Sequence, residues 1–191
     1  MPTSADEALE NVLLNGILKD VHDAWERKSL RATLILIYSG IDALAYLTMP
    51  SDHEKVTRSD FIEWCDKYIR FRDADESRTL SLPGLELYAA RCAMVHTYGS
   101  EAGLHKEGKL KRQIGYGDEF LPEVLAKPDV DNLVIVSIRG LVDAFGEGIY
   151  ETLKNIADDE PSQKLFAERL MGMVQELPIF PSASFSSPLK P

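Results

Sequence analysis

Apolar residues recur at helical spacing over most of the chain, and this pattern divides it into successive helices. The first covers about residues 5–27 and opens with Ser4 and Glu7, which are spaced as in a capping box. Lys28–Ser29 then either breaks this helix or only bends it. From Leu30 onward the pattern becomes apolar nearly all round, which predicts a second helix at the centre of a bundle.

Proline and capping residues set the ends of the next elements. Met49 precedes Pro50, and proline disfavours helix in the residue before it, so the second helix ends there. Thr57 or Ser59 can cap a third helix. One face of that helix carries Phe61, Trp64, Cys65 and Tyr68. Residues 71–80 are charged and aperiodic, which indicates a loop.

Glycine and proline change the character of the second half. Pro83 suits the first turn of a fourth helix that runs to about Val95 or beyond. Residues 97–128 contain five glycines and are too long for a simple turn between bundle helices. This long connecting segment contains either a short hairpin or an extra turn of helix. A long fifth helix is predicted to start at Asp129 or Asp131, with a stripe formed by Val134, Ile138, Leu141, Phe145, Ile149, Leu153 and Ile156.

The predicted fold class is all-α, because no stretch shows the alternating apolar and polar pattern of a half-buried strand. A last helix is expected from Pro161 to about Glu176. The architecture is then an antiparallel bundle of four main helices plus additional helices, with a long loop insertion. Residues 1–176 form this helical domain, and residues 177–191 form a Pro/Ser-rich C-terminal tail.

The charge balance argues against a duplex-binding protein. The 191 residues include 31 acidic and 21 basic side chains, a formal net charge of -10. A protein that binds duplexes usually presents a dense basic face, because neutralised phosphates supply most non-specific affinity. The nearest candidate is Lys106–Arg112, which is either a solvated loop or a local phosphate contact.

Cysteine content and the termini favour a cytoplasmic protein that does not contact a membrane. The two cysteines, Cys65 and Cys92, are too few to staple a fold of this size, so we expect reduced thiols. The N-terminus lacks a basic segment followed by an apolar core, so no secretory signal is predicted. The longest apolar run, Ala32–Leu47, has 16 residues and includes Asp42, too short and too charged for a membrane span.

Arg91 and His96, late in the fourth helix, are the residues best suited to chemistry. A guanidinium holds a phosphate through two parallel hydrogen bonds, and an imidazole moves a proton near neutral pH. Together they can cleave RNA. Five residues along a helix turn the side chain by about 140° and advance it by about 7.5 Å. The two can therefore converge only if the helix ends or bends near His96, or if a second subunit completes the site.

The second helix carries a polar seam in an apolar surface, formed by Ser39, Asp42 and Tyr46. A buried carboxylate is costly without a partner, and Arg91 is the obvious one for Asp42. Two interpretations stay open at this point. Asp42 and Arg91 belong either to a functional site, catalytic or ligand-binding, or to a buried pair that fixes helix register and does no chemistry.

Arg91, four intervening residues and His96 resemble the motif of the HEPN superfamily of small helical bundles. The surrounding order is also similar: a long apolar helix, a short helix with the FIEWCDKYI pattern, a loop, and then the helix with Arg and His. The resemblance covers about residues 5–157. Active members frequently carry Asn or Asp directly after the Arg, whereas this chain has Cys92.

The resemblance implies a metal-independent endoribonuclease that works as a homodimer, with both motifs lining one cleft, and that is often a toxin or antiviral effector. By that resemblance Arg91 binds the scissile phosphate or the developing charge, and His96 acts as general base or acid in an attack by the 2′-hydroxyl. Asp42, Ser39 and Tyr98 would support the site. The implied partners are RNA and a cognate antitoxin or other protein.

The same residues also support other interpretations of the function. Many relatives in this superfamily are inactive, so the chain is alternatively a non-catalytic interaction or dimerisation module, or a regulatory domain that binds a nucleotide at Arg91. Tyr88 and Tyr98 flank the motif and either stack on a base or pack in the core or dimer. No HExxH pattern, Cys/His cluster or phosphate-binding glycine loop is present, so we expect no cofactor and no metal.

Overall fold

The computed structural model describes residues 4–72, 79–97, 104, 108–110, 112–117, 124–126 and 132–173. These residues are mostly helical, as predicted, and they also contain a small sheet that the sequence pattern did not indicate. The C-terminal tail, residues 177–191, lies outside the described residues.

The first predicted helix is present as three consecutive helical segments. They are α1 (Ala5–Leu9), a π-helix (Glu10–Leu18) and α2 (Lys19–Glu26). The Ser4 hydroxyl accepts a hydrogen bond from the Glu7 amide, as its position in the sequence predicts. The helix breaks rather than bends, because Lys28 takes a left-handed backbone conformation with φ of 57°.

The second helix, α3 (Leu30–Thr48), lies at the centre of the bundle. It packs against the π-helix and against every other long helix of the described residues. Its 19 residues are long and apolar enough to span a membrane by length and composition alone. Half of the apolar window is buried inside the protein, which is the pattern of a core helix.

Two shorter helices follow, and local capping defines the first of them. The helix α4 (Arg58–Tyr68) begins with a full capping box, in which the Thr57 hydroxyl and the Asp60 carboxylate each accept from the other's backbone amide. A two-stranded antiparallel hairpin then pairs β1 (Phe71–Arg72) with β2 (Thr79–Leu80). The prediction of a plain loop over residues 71–80 was therefore wrong at its two ends. Next comes α5 (Gly84–Thr97).

A three-stranded sheet is formed by part of the long connecting segment, residues 97–128, and by part of the predicted fifth helix. Its strands are β3 (Gln113–Gly117), β4 (Leu125–Ala126) and β5 (Leu133–Ser137), and the order is β3-β5-β4. β5 runs parallel to β3 and antiparallel to β4. The fifth helix was predicted to start at Asp129 or Asp131, but Leu133–Ser137 is strand, because its β-branched run finds partners on both sides.

The last two helices are α6 (Ile138–Ala157) and α7 (Glu160–Met171). The Ser137 hydroxyl accepts from the Gly140 amide and caps α6 where the strand ends. Helices α3 and α4 pack against each other and against both α5 and α6, around a common apolar core. Its fully sealed side chains include Leu13, Ile37, Ile41, Leu44, Phe61, Leu87, Leu141 and Phe145.

Glycine allows α3 and α6 to approach closely. A Cβ at Gly40 would lie 2.5 Å from Phe145 Cζ and 2.9 Å from Ile17 Cγ2. A Cβ at Gly146 would instead meet only Leu18 Cδ1, at an ordinary 3.7 Å. The first glycine is therefore required by packing, and the second is not.

We expect Gly40→Ala to lower the free energy of unfolding by about 1–3 kcal/mol, because the extra methyl group overpacks a sealed contact. Gly146→Ala is the matched control and should raise it by up to about 1 kcal/mol through helix propensity. Urea unfolding of both variants measures the effect. A neutral or stabilising Gly40→Ala would contradict this packing of α3 against α6.

The N-terminus of α4 predicts how the protein responds to acid. Burial alone would raise the pKa of Asp60, but hydrogen bonds from Thr57 and from His53 Nδ1, at 2.9 Å, outweigh burial and lower that pKa. A carboxyl group with a lowered pKa stabilises the fold above its unfolded pKa, about 4, and this stabilisation is lost as the pH falls further. The stability gap between the wild type and Asp60→Asn should therefore shrink below about pH 4. A gap that stays constant in thermal melts down to about pH 2.5 would refute this role.

Candidate functional site

Helices α3 and α5 bring Asp42 and Arg91 together. Arg91 Nε and Nη2 both donate to Asp42 Oδ2, at 3.0 and 2.7 Å. Hydrogen bonds between charged partners are the strong ones, so this contact fixes the guanidinium in one orientation. The pairing that the sequence indicated for Asp42 is confirmed.

The pair reaches the surface, which the prediction of a buried carboxylate did not anticipate. The side chains of Arg91 and Asp42 are 21% and 31% exposed. Burial alone would lower the pKa of Arg91, but the Asp42 carboxylate outweighs it and raises that pKa further, so the guanidinium stays charged. A fixed, charged and accessible guanidinium is what binding of an anionic ligand requires.

The rest of the predicted polar seam does not converge on this pair. Ser39 is exposed and forms no hydrogen bond with the residues that the structure describes. Tyr46 lies under the guanidinium of Arg169 of α7, 5.8 Å from its ring centroid, and so belongs to a different contact. Tyr98 lies outside the described residues. Of the predicted supporting residues, the structure therefore places only Asp42 beside Arg91.

His96 lies on the same helix as Arg91 but not on the same stripe. Helix α5 is continuous through Thr97, so the backbone positions of Arg91 and His96 differ by about 140° around the axis and about 7.5 Å along it. The side chain of His96 is not among the described ones. The helix is continuous between the two residues, so a bend does not bring them onto one face of α5. Of the predicted ways to bring Arg91 and His96 together, the end of the helix and a second subunit remain.

Tyr88, one turn before Arg91, is held in place by its neighbours. Its ring packs edge-on against Phe61, with centroids 5.5 Å apart, and the guanidinium carbon of Arg58 lies 5.3 Å from its centroid. Burial raises the pKa of Tyr88, as does the neighbouring Cys92, while Arg91 and Arg58 oppose the shift. These contacts favour the packing interpretation of Tyr88. Arg58 was not predicted as a site residue from the sequence. The pattern that could have identified it is a positive charge in the first turn of a helix, where the helix dipole disfavours a cation.

The structure contains a second ion pair on α5 that was not predicted from the sequence. Glu86 accepts from Arg112 Nε at 2.9 Å and from Nη2 at 2.7 Å, and its side chain is only 9% exposed. Arg112 comes from the basic stretch Lys106–Arg112, for which a solvated loop and a phosphate contact had both been considered. At Arg112 the interpretation as a solvated loop does not hold, because the guanidinium binds Glu86 and joins β3 to α5. Leu104, just before this stretch, and Leu110 within it pack against a small cluster formed by Ala89 and Ala93 of α5.

A separate cavity of about 570 Å³ lies between the end of α3, α4 and the facing ends of α6 and α7. Its lining includes Met49, Asp60, Trp64, Lys67, Asn155 and Leu165. Among the predicted site residues whose side chains are described, Ser39, Asp42 and Arg91, none lines it. Within the described residues, no group of three His, Cys, Asp or Glu side chains is placed to hold a metal ion.

Comparison of the chain with protein-family models, with curated proteins and with solved structures gave no match.

The two ion pairs of α5 should differ in their contribution to stability. We expect Glu86→Gln to lower the free energy of unfolding by about 2 kcal/mol, less than for a fully buried pair, because water reaches Arg112, whose side chain is 34% exposed. Asp42→Asn should cost only about 1 kcal/mol, because water reaches its pair. Urea unfolding at neutral pH compares the two variants. An Asp42→Asn variant that is destabilised as much as Glu86→Gln would mean that the Asp42–Arg91 pair is a structural one.

Proposed function

We propose that this protein is a HEPN-like, metal-independent endoribonuclease that cleaves RNA at a composite site in a homodimer. The observation that carries the proposal is the pair of Asp42 and Arg91. It is an oriented guanidinium that remains partly accessible, and it lies on the helix that also bears His96.

The order of elements supports this proposal. A long apolar helix, α3, is followed by α4 with its aromatic face, by the β1–β2 hairpin, and by α5 with Arg91 and His96. These helices pack together with α6. That is the arrangement expected for a HEPN-like bundle, and the small sheet is an addition to it.

The chemistry follows from what each group can do. In the proposed reaction His96 takes the proton from a ribose 2′-hydroxyl, and the oxygen attacks the adjacent phosphorus. The bond from phosphorus to the 5′-oxygen breaks, and that oxygen takes a proton from water, which leaves a 2′,3′-cyclic phosphate and a 5′-hydroxyl. Arg91 binds the phosphate oxygens and stabilises the charge that develops on them. Asp42 is a positioning residue, because it holds Arg91 and does not touch the substrate.

The composite site follows from the position of the two residues on α5. The backbone positions of Arg91 and His96 in one chain lie about 140° apart around the axis of α5, so the two residues do not share a face of the helix. In a twofold dimer each contact occurs twice, and Arg91 of one protomer can face His96 of the other. The proposal therefore predicts two equivalent sites in each dimer.

Cleavage of labelled single-stranded RNA in EDTA tests the activity. We expect the wild type to yield 2′,3′-cyclic phosphate ends, and Arg91→Ala and His96→Ala to lose at least about 100-fold in rate, since each removes a main catalytic interaction. His22→Ala, at an exposed histidine of α2, is the matched control and should retain full activity. Equal cleavage by all four proteins would indicate a contaminant and end the proposal. Binding of RNA or nucleotide by the wild type without cleavage would instead favour the non-catalytic module.

A mixed dimer tests whether the site is shared. Arg91→Ala and His96→Ala chains carrying different tags are co-expressed, and the heterodimer is purified. A shared site leaves one of two sites intact, so this heterodimer should recover about half of the wild-type rate. Recovery is not expected if each chain forms its own site, because both chains then lack an essential group. An inactive heterodimer would therefore exclude the shared arrangement.

A further inference from the structure

Arg58 is a cation near the proposed site that forms no ion pair with any carboxylate among the described residues. It occupies the first position of α4 and is exposed. Among the described residues its recorded contact is with the ring of Tyr88, and none of the described carboxylates forms an ion pair with it. The other arginines nearby, Arg91 and Arg112, both bind carboxylates.

Tyr88 fixes where this cation lies. Its ring is held edge-on by Phe61, and Arg58 lies over it at 5.3 Å from guanidinium carbon to ring centroid. A cation over an aromatic face is attracted by the ring, so the guanidinium keeps this position. Tyr88 precedes Arg91 by three residues, and side chains at this spacing are neighbours on a helix, with Cβ atoms about 5–6 Å apart. Arg58 and Arg91, from different helices, therefore both lie near Tyr88.

Two neighbouring cations destabilise each other unless an anion lies between or across them. The Asp42 carboxylate offsets Arg91, whereas no described carboxylate offsets Arg58. A polymer with a charge on every unit would offset both, one phosphate at each guanidinium. A single strand suits this geometry, because it can follow the surface from α5 to α4 without presenting a duplex.

We propose that Arg58 binds the phosphate next to the scissile one in a single-stranded RNA, and so extends the site of Arg91 across α4. This inference deepens the proposed function and rests on it. Arg58 is a binding residue and takes no part in proton transfer, so it should act on RNA affinity and not on the cleavage step at saturating RNA.

Binding is measured with a single-stranded RNA whose 2′-hydroxyls are all methylated, so that it cannot be cleaved, by fluorescence anisotropy in EDTA at several salt concentrations. Loss of one phosphate contact should reduce the slope of log affinity against log salt by about 0.7, and should weaken binding about fivefold at 0.1 M salt. We expect this change for Arg58→Gln. Arg58→Lys should restore most of the affinity and the slope, because the charge is kept.

Arg31→Gln is the matched control. Arg31 is also an exposed arginine in the first turn of a helix, α3, and it lies eleven residues, about 16 Å along the axis, from Asp42. It should leave the affinity and the slope unchanged. Equal effects of the two substitutions would show only the loss of net charge and would overturn the proposal, as would no effect of Arg58→Gln. Thermal melts verify that each variant is folded.

The failure of this inference and that of the proposed function are distinguishable. Cleavage of unmodified RNA that depends on Arg91 and His96, with binding indifferent to Arg58, rejects the extended site and keeps the nuclease. Binding that depends on Arg58 and Arg91, with no cleavage by the wild type, keeps the extended anion site and rejects the nuclease. Absence of binding by the wild type rejects both.

Discussion

The central helix α3 imposes the constraint on which the rest of the structure depends. It is apolar on nearly every side and contacts all the other long helices, yet it carries one carboxylate, Asp42. An ionised group on such a helix needs a partner, and Arg91 of α5 supplies it through two hydrogen bonds. This contact links α5 to α3 and holds the Arg91 guanidinium in one orientation.

Helix α5 is held on its other side by a different pair. Glu86 binds Arg112 at the start of β3, and the hydroxyl groups of Tyr38 and Tyr116 meet at 2.6 Å between α3 and the same strand. Burial raises the pKa of both tyrosines, so they stay neutral and serve as a hydrogen-bonded pair. The small sheet thus positions the helices, although it contributes no residue to the proposed site.

The contrast between the two ion pairs on α5 indicates different roles. The Glu86 carboxylate is buried, whereas its partner Arg112 is 34% exposed, and the pair joins helix and strand. The Asp42–Arg91 pair is open to water on both partners, so a ligand phosphate can approach the guanidinium while Asp42 still orients it. Tyr88, with Arg58 over its ring, lies near Arg91 of this pair.

The sequence by itself determined the features that local chemistry controls. Capping at Ser4 and Thr57, the stop before Pro50, the central apolar helix and the need of Asp42 for a cation all follow from neighbouring residues. The prediction of helix at Leu133–Ser137 was wrong, because Val134 and Ile138 continue a helical spacing, whereas the strands that pair with this segment lie elsewhere in the chain. Only the tertiary structure decided that Glu86 forms an ion pair with Arg112 and that the guanidinium of Arg58 lies over the ring of Tyr88. It also decided that the Asp42–Arg91 pair remains accessible to water. Those outcomes depend on how elements far apart in the chain pack, and no local pattern encodes that packing.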